Sequence, residues 1–179
     1  MVNLFPFDEI DAFKAEITKS DSSTLQAQDV EDEVLDLLIM SYVFGTNAAN
    51  EMMGTDYPPN MDEMRETIEE KVAGKNYKER ISEHIDEGRP DLIGAVADTD
   101  SVRVYNEAIL KLGAKAGARN KTWHTMMDER VRDTHSPLEG ISVPLDAYFY
   151  TWDEDRALAP GGFEKAQNNV NCRCILEIS

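Results

Sequence analysis

Residues 121–135, KTWHTMMDERVRDTH, bring together the side chains His124, Asp128, Arg130, Arg132 and His135. Histidine titrates near neutral pH, and arginine binds phosphate through paired hydrogen bonds. Two histidines and an acid could therefore perform general acid–base chemistry on a phosphodiester, with the two arginines holding the phosphate. The sequence lacks a nucleophile elbow, a phosphate-binding loop and paired metal carboxylates. The stretch is thus more typical of structural hydrogen bonding, with Asp128 capping a short helix and Arg132 paired with a carboxylate.

The two cysteines of the chain are Cys172 and Cys174. A disulfide across one intervening residue is strained, so reduced thiols or metal ligands are expected. On an extended strand, positions i and i+2 face the same side and would present both sulfurs together. His124 and His135 could then complete a tetrahedral zinc site. The alternative is a pair of buried thiols packed under the strand, with no cofactor.

Charge is distributed unevenly along the 179 residues. Residues 1–102 carry 24 acidic and 8 basic side chains (−16), and residues 103–179 carry 11 and 10 (−1), which together give the net charge of −17. An acidic front repels nucleic acid and favours solubility or a basic protein partner. No apolar run reaches the ~20 residues of a membrane helix, and the N-terminus lacks a basic signal-peptide region. These features predict a cytosolic protein without membrane association.

Apolar residues at helical spacing predict helices over about residues 10–17, 29–47, 60–72, 77–85 and 92–112. After GAKAGARN the pattern becomes strand-like, in KTWHTMM, GISVPLDAYFY and NCRCILEI. The aromatic residues between 148 and 152 are expected to form a compact core: Tyr148, Phe149, Tyr150 and Trp152. The predicted fold class is α+β, with an acidic all-α N-terminal region followed by a small α+β domain that contains a short antiparallel sheet.

The order of these motifs resembles the C-terminal domain of the Mu F-like phage head morphogenesis (minor head protein) family. The matching positions are Lys121, Trp123, Thr125, Asp128, Arg130, Val131, Arg132, His135, Gly140, Phe149, Pro160, Asn171, Cys172, Arg173 and Cys174. Upstream, Thr99, Asp100, Arg103 and Asn106 are similar to a helix of the same family. The resemblance covers residues 98–179, so we expect an acidic helical region at 1–97 and a Mu F-like domain at 98–179.

The resemblance implies a structural phage protein without enzymatic activity. Such proteins are low-copy head components at or near the portal vertex, which act in head morphogenesis and support DNA packaging or delivery. The implied partners are the portal and other head proteins, with homo-oligomerisation in the particle. The implied location is the virion head, with the host cytoplasm as the site of assembly. DNA contact through the basic stretch between Lys111 and Arg132 is a weaker expectation.

In this interpretation the motif residues build the fold. Trp123 would join the aromatic core, Asp128 would form a partly buried charge network with Arg130 or Arg132, and His135 would tie the last strand to the first through the two cysteines. Two alternatives follow from the residues themselves. One is a nuclease or toxin-like enzyme that uses His124 and His135, and the other is an interaction module stapled by zinc.

Overall fold

The computed structural model describes residues 7–19, 26–72 and 74–179. The helices are α1 Phe7–Lys19, α2 Ala27–Met53, α3 Met61–Glu69, α4 Tyr77–Asp86, α5 Ile93–Ala116 and α6 Ala166–Asn169. The strands are β1 Asn120–His124, β2 Ser142–Pro144, β3 Phe149–Tyr150, β4 Arg156–Ala157 and β5 Ile175–Ile178. The predicted α+β class is confirmed. Among these helices, none has the length and apolar composition that crossing a membrane requires.

Local sequence signals explain where several helices begin and end. The side chain of Asn60 accepts hydrogen bonds from the backbone of Asp62 and Glu63, which caps α3. Asn76 and Glu79 form a reciprocal capping box at the start of α4. Gly54 ends α2 in the left-handed conformation that glycine adopts without steric cost.

The central element of the fold is α5, which contacts α1, α2, α3, α4 and β5. Its closest neighbour is α2, and Gly45 lies at that crossing. A Cβ at Gly45 would lie 2.3 Å from the carbonyl oxygen of Tyr105, so only glycine permits this approach. The acidic helices and the C-terminal strands therefore pack against one shared helix.

Strand β1 is the centre of an antiparallel sheet with the order β2-β1-β5, and β3 pairs with β4 in a separate hairpin. Trp123 lies opposite Leu176 across β1 and β5, and both side chains are fully buried. Gly113 of α5 packs against the side chain of Ile178, which seats β5 on the helix. The three-stranded sheet is thus fixed to α5 through its last strand.

The structure corrects two local predictions. Phe149 is buried, but Tyr148, Tyr150 and Trp152 are 39%, 64% and 71% exposed, so the expected aromatic core is wrong at these three positions. Alternation along β3 sends Phe149 inward and Tyr150 outward, and Trp152 lies in the turn that follows. Residues 128–135 form turns rather than the short helix expected after Asp128.

Candidate functional site

His135, Cys172 and Cys174 form a buried cluster beneath the sheet. Their side chains are at most 4% exposed. Nδ1 of His135 lies 3.6 Å from the sulfur of each cysteine. The cysteines precede β5 rather than lying on a strand, and the backbone N–H of Cys174 lies 3.5 Å from the Cys172 sulfur. This local fold brings both sulfurs to Nδ1 of the imidazole.

Aromatic packing sets the orientation of the His135 ring. Phe163 stacks on it at 5.3 Å between ring centroids, and Trp123 meets it edge-on at 5.5 Å. Nε2 of His135 is buried without a hydrogen-bond partner among the residues that the structure describes. Contacts with these two aromatic rings therefore fix the position of the imidazole, and its polar contacts are made through Nδ1.

The two thiols share their protons unequally. The pKa of Cys172 lies well below its usual value because the Cys174 thiol hydrogen-bonds to it, with a further contribution from His135. The pKa of Cys174 is raised, chiefly by the same hydrogen bond to Cys172 and then by burial. The first proton is thus lost from Cys172.

His124 lies outside this cluster. Its Nδ1 is 3.3 Å from Glu139, and its Nε2 is 3.1 Å from a carboxylate oxygen of Glu177, an ion-pair distance without an aligned hydrogen bond. Trp123 points into the core, so the alternation of β1 turns His124 to the opposite face. The predicted four-ligand set is therefore not assembled, because only three of its members meet.

The charge network expected around Asp128 includes a closer partner than the sequence indicated. Arg173 donates to both carboxylate oxygens of Asp128 at 2.6 and 2.7 Å, and this ion pair lowers the pKa of Asp128. The guanidinium of Arg130 forms a longer ion pair with Asp128 at 3.7 Å, and the backbone N–H of Arg130 donates to the same carboxylate at 3.1 Å. Arg132 instead donates to the carbonyl oxygen of Val170. The predicted pairing with Arg130 is thus present, with Arg173 as the closer partner, and the network is partly exposed.

The remaining motif residues hold turns and the core. The backbone N–H of Gly140 donates to the carbonyl oxygen of Trp123 at 2.9 Å, at a φ of +71°. Asn171 adopts a left-handed φ of +55°, and its N–H donates to the Thr99 hydroxyl. Both residues help to position the segments on either side of the His135 cluster.

A second buried network lies on α5, around residues that sequence reasoning matched to the family without assigning them contacts. Arg103 is 2% exposed and donates to the carbonyl oxygen of Thr67 at 2.8 Å. The fully buried carboxylate of Asp100 pairs with Arg80 at 2.6 Å and with Arg103 at 3.3 Å. These bonds join α3, α4 and α5 through charged side chains.

Asn106 extends this network to the C-terminal segment. Its amide nitrogen donates to the carbonyl oxygen of Cys174 at 3.1 Å, and its amide oxygen accepts from the N–H of Leu176 at 2.8 Å. Both donor and acceptor of one buried side chain thus bind the backbone that carries the cysteines into β5. The helix motif and the cysteine motif form one continuous structure.

Asp155 is a site residue that sequence reasoning missed. It is 3% exposed, and its carboxylate accepts hydrogen bonds from the backbone of Arg156, Glu164 and Lys165 and from the side chain of Asn168. These bonds fix the loop that contains PGG. An acid before a glycine turn that is followed by two asparagines is the only signal for this arrangement in the sequence.

Two open grooves border these networks. One, of about 570 Å³, lies between α5 and the loop 156–164 and is lined by Arg103, Glu107 and Lys111 among others. Burial raises the pKa of Glu107 to about 7. The other, of about 660 Å³, lies between α1, the start of α5 and the arginines of the motif. Neither groove is lined by His124 or His135.

The sequence was compared with known families, curated proteins and solved structures. The family described as Phage Mu protein F like protein matches residues 61–177. This match begins at the start of α3, well before residue 98, and so includes α3 and α4 as well as the motif residues. No curated protein and no solved structure matches the chain.

Proposed function

The chain belongs to the phage Mu protein F-like family, a family of phage head morphogenesis proteins, and we propose that it is a minor head protein without enzymatic activity. It acts at or near the portal vertex and supports packaging or delivery of DNA. It assembles in the host cytoplasm and remains in the virion head.

The observation that carries the proposal is the use of the motif's polar groups inside the protein itself. Asp100, Arg103 and Asn106 are each at most 2% exposed, and all three are hydrogen-bonded to other parts of the chain. A buried charged network is costly unless every member is satisfied, which favours a role in specifying one structure. Motif residues that are buried and hydrogen-bonded within the chain support the proposal of a structural protein.

The placement of the histidines also supports a non-enzymatic role. An acid–base pair must reach one substrate from a common cleft. His135 is 1% exposed and contacts both cysteines, whereas His124 lies between two carboxylates on the sheet surface. The nuclease alternative requires an arrangement that these contacts do not favour.

Three of the six basic side chains between Lys111 and Arg132 are engaged within the protein, whereas Lys115, Arg119 and Arg130 are exposed. Lys111 contacts the Thr67 hydroxyl and Glu107, Lys121 is fully buried, and Arg132 binds a backbone carbonyl. Counterion release requires lysines and arginines that can neutralise phosphates. The proposal therefore assigns the partner role to portal and head proteins, and the acidic front favours a basic protein surface.

Co-expression with the portal and head proteins of the same phage tests the proposed partners. We expect the tagged chain to co-purify with the portal ring and to hydrolyse neither nucleic acid nor a chromogenic phosphodiester. A chain that stays a free monomer would contradict the portal assignment. Turnover that is lost in His124→Ala, at an unchanged melting temperature, would contradict the non-enzymatic assignment.

A further inference from the structure

The cluster of His135, Cys172 and Cys174 has the dimensions of a metal site. One imidazole nitrogen and two sulfurs all lie within 4.8 Å of one another. A tetrahedral zinc ion, with Zn–S about 2.3 Å and Zn–N about 2.05 Å, places each sulfur about 3.6 Å from the nitrogen. Both nitrogen–sulfur distances here are 3.6 Å. Both nitrogen–sulfur edges therefore match such a coordination shell, and the two sulfurs lie within 4.8 Å of each other.

We propose that the chain binds one zinc ion through Nδ1 of His135 and the sulfurs of Cys172 and Cys174. Zinc takes the place of the two thiol protons, which are released to solvent as the thiolates bind the metal. Two thiolates and an imidazole suit zinc, whereas magnesium and calcium require oxygen ligands. The site goes beyond the proposed function and does not depend on it.

A small cavity borders two of the three proposed ligands. It has a volume of about 10 Å³ and is lined by His135 and Cys174, with Arg132 and Asn171 among its other walls. A space of roughly 10–15 Å³ holds one water molecule. In this proposal a water molecule in the cavity is the fourth ligand, as in zinc sites that have three protein ligands and one open position.

The surrounding structure holds the ligands in place before metal arrives. Phe163 and Trp123 fix the imidazole, and Asn106 binds the carbonyl oxygen of Cys174. Position 135 follows β1, and positions 172 and 174 precede β5. The ion therefore links the segment after β1 to the segment before β5, and these two strands are neighbours in the sheet.

Metal content of the full-length chain tests the proposal directly. The chain is incubated with zinc and separated from free ion by gel filtration, and its zinc content is measured by elemental mass spectrometry. We expect about one zinc ion per chain. In cobalt-substituted protein we expect the near-ultraviolet band of thiolate-to-cobalt charge transfer and the visible bands of a tetrahedral ion. A wild-type chain that holds no zinc and gives no thiolate band would overturn the site.

Variants identify the ligands. We expect Cys172→Ser and Cys174→Ser to lose the zinc, and His124→Ala, at the histidine outside the cluster, to retain it. Zinc that stays bound in the Cys172→Ser/Cys174→Ser double variant, or that is lost from His124→Ala, would refute the assignment. The cobalt spectrum requires no variant, so it remains decisive even when a serine variant fails to fold. A zinc-binding chain absent from phage heads would refute the proposed function alone.

Discussion

Asp100 and Asp128 both pair with arginine, but they do so in different surroundings. The side chain of Asp100 is fully buried between Arg80 and Arg103, whereas that of Asp128 is 36% exposed beside Arg173. Removing a carboxylate from a buried pair leaves an uncompensated charge in a low-dielectric interior. An exposed pair is already solvated and screened, so its loss costs little.

We therefore expect Asp100→Ala to lower the free energy of unfolding by about 3–5 kcal/mol. The matched variant Asp128→Ala should lower it far less, because its pair with Arg173 is solvated and screened. The sequence analysis predicted the partly buried charge network at Asp128, whereas the structure buries the carboxylate of Asp100. Urea denaturation of both variants measures the difference, and equal losses would show that burial does not control the energetics here.

Lys121 is a buried cation without a hydrogen-bond partner in the described structure. Its side chain is fully buried, and Nζ lies 5.5 Å from the centre of the Phe149 ring. Burial lowers the pKa of Lys121 to about 8, although Asp146 acts in the opposite direction. A lysine in the unfolded chain titrates near pH 10.4. Folding therefore disfavours the charged form.

The sign of the pH dependence follows from this shift. Below pH 8, Lys121 is charged in both the folded and the unfolded state, and the burial of its charge lowers the free energy of unfolding by the full amount. Between about pH 8 and 10.4 the folded state releases its proton first, so this penalty decreases. We expect Lys121→Met to raise the free energy of unfolding at pH 7 by on the order of 1–3 kcal/mol, with the gain shrinking toward pH 10. Thermal melts across this range provide the test, and a pH-independent difference would contradict the buried charge.

At the scale of elements, one turn of the PGG loop lies directly against α5. Gly161 has a φ of +88°, and a Cβ there would lie 2.8 Å from the Cα of Arg103. Gly140 also has a positive φ, +71°, but a Cβ there would meet no atom within 4 Å. An alanine at Gly140 would therefore add only the cost of the left-handed backbone, whereas an alanine at Gly161 would add a steric clash as well.

We expect Gly161→Ala to lower the free energy of unfolding by about 2–5 kcal/mol, since it combines left-handed strain with overpacking. Gly140→Ala should cost only the strain, about 1–2 kcal/mol. Chemical denaturation compares them. If Gly161→Ala were no worse than Gly140→Ala, the loop would not be seated on the helix as described.

The five longer helices, α1 to α5, could be predicted from sequence because each carries an apolar stripe with a 3.6-residue period, whereas the four-residue α6 was not predicted. The segments that hold β1, β2, β3 and β5 were predicted as strand-like, but the two-residue β4 was not, because it is too brief to show alternation. At the site, the pairing of His135 with the cysteines was predictable from their types and order. The exclusion of His124 depends on which face of β1 points inward, and the role of Asp155 depends on loop contacts far apart in sequence.

At the scale of the whole molecule, α5 belongs to both parts of the chain. The proposed boundary between residues 97 and 98 falls within this helix. Arg103 binds the backbone of α3, and Asp100 binds Arg80 of α4. A fragment that starts at residue 98 therefore keeps the motif but loses the helices that cover it.

We expect the fragment 98–179 to unfold without a cooperative transition. The helices that cover α5 are missing from it, so the polar side chains of α5 that are buried in the full-length chain lose their partners. The full-length chain should show one sharp transition under the same conditions. Circular dichroism during thermal unfolding distinguishes them, and a cooperative fragment would establish residues 98–179 as an independent domain.

The central claim is that this chain is a structural component of the phage head. Quantitative mass spectrometry of particles purified from the phage that encodes it tests the claim most directly. The account predicts that the chain is present in DNA-filled heads, at a copy number far below that of the major capsid protein. Absence of the chain from both immature and mature heads would contradict it.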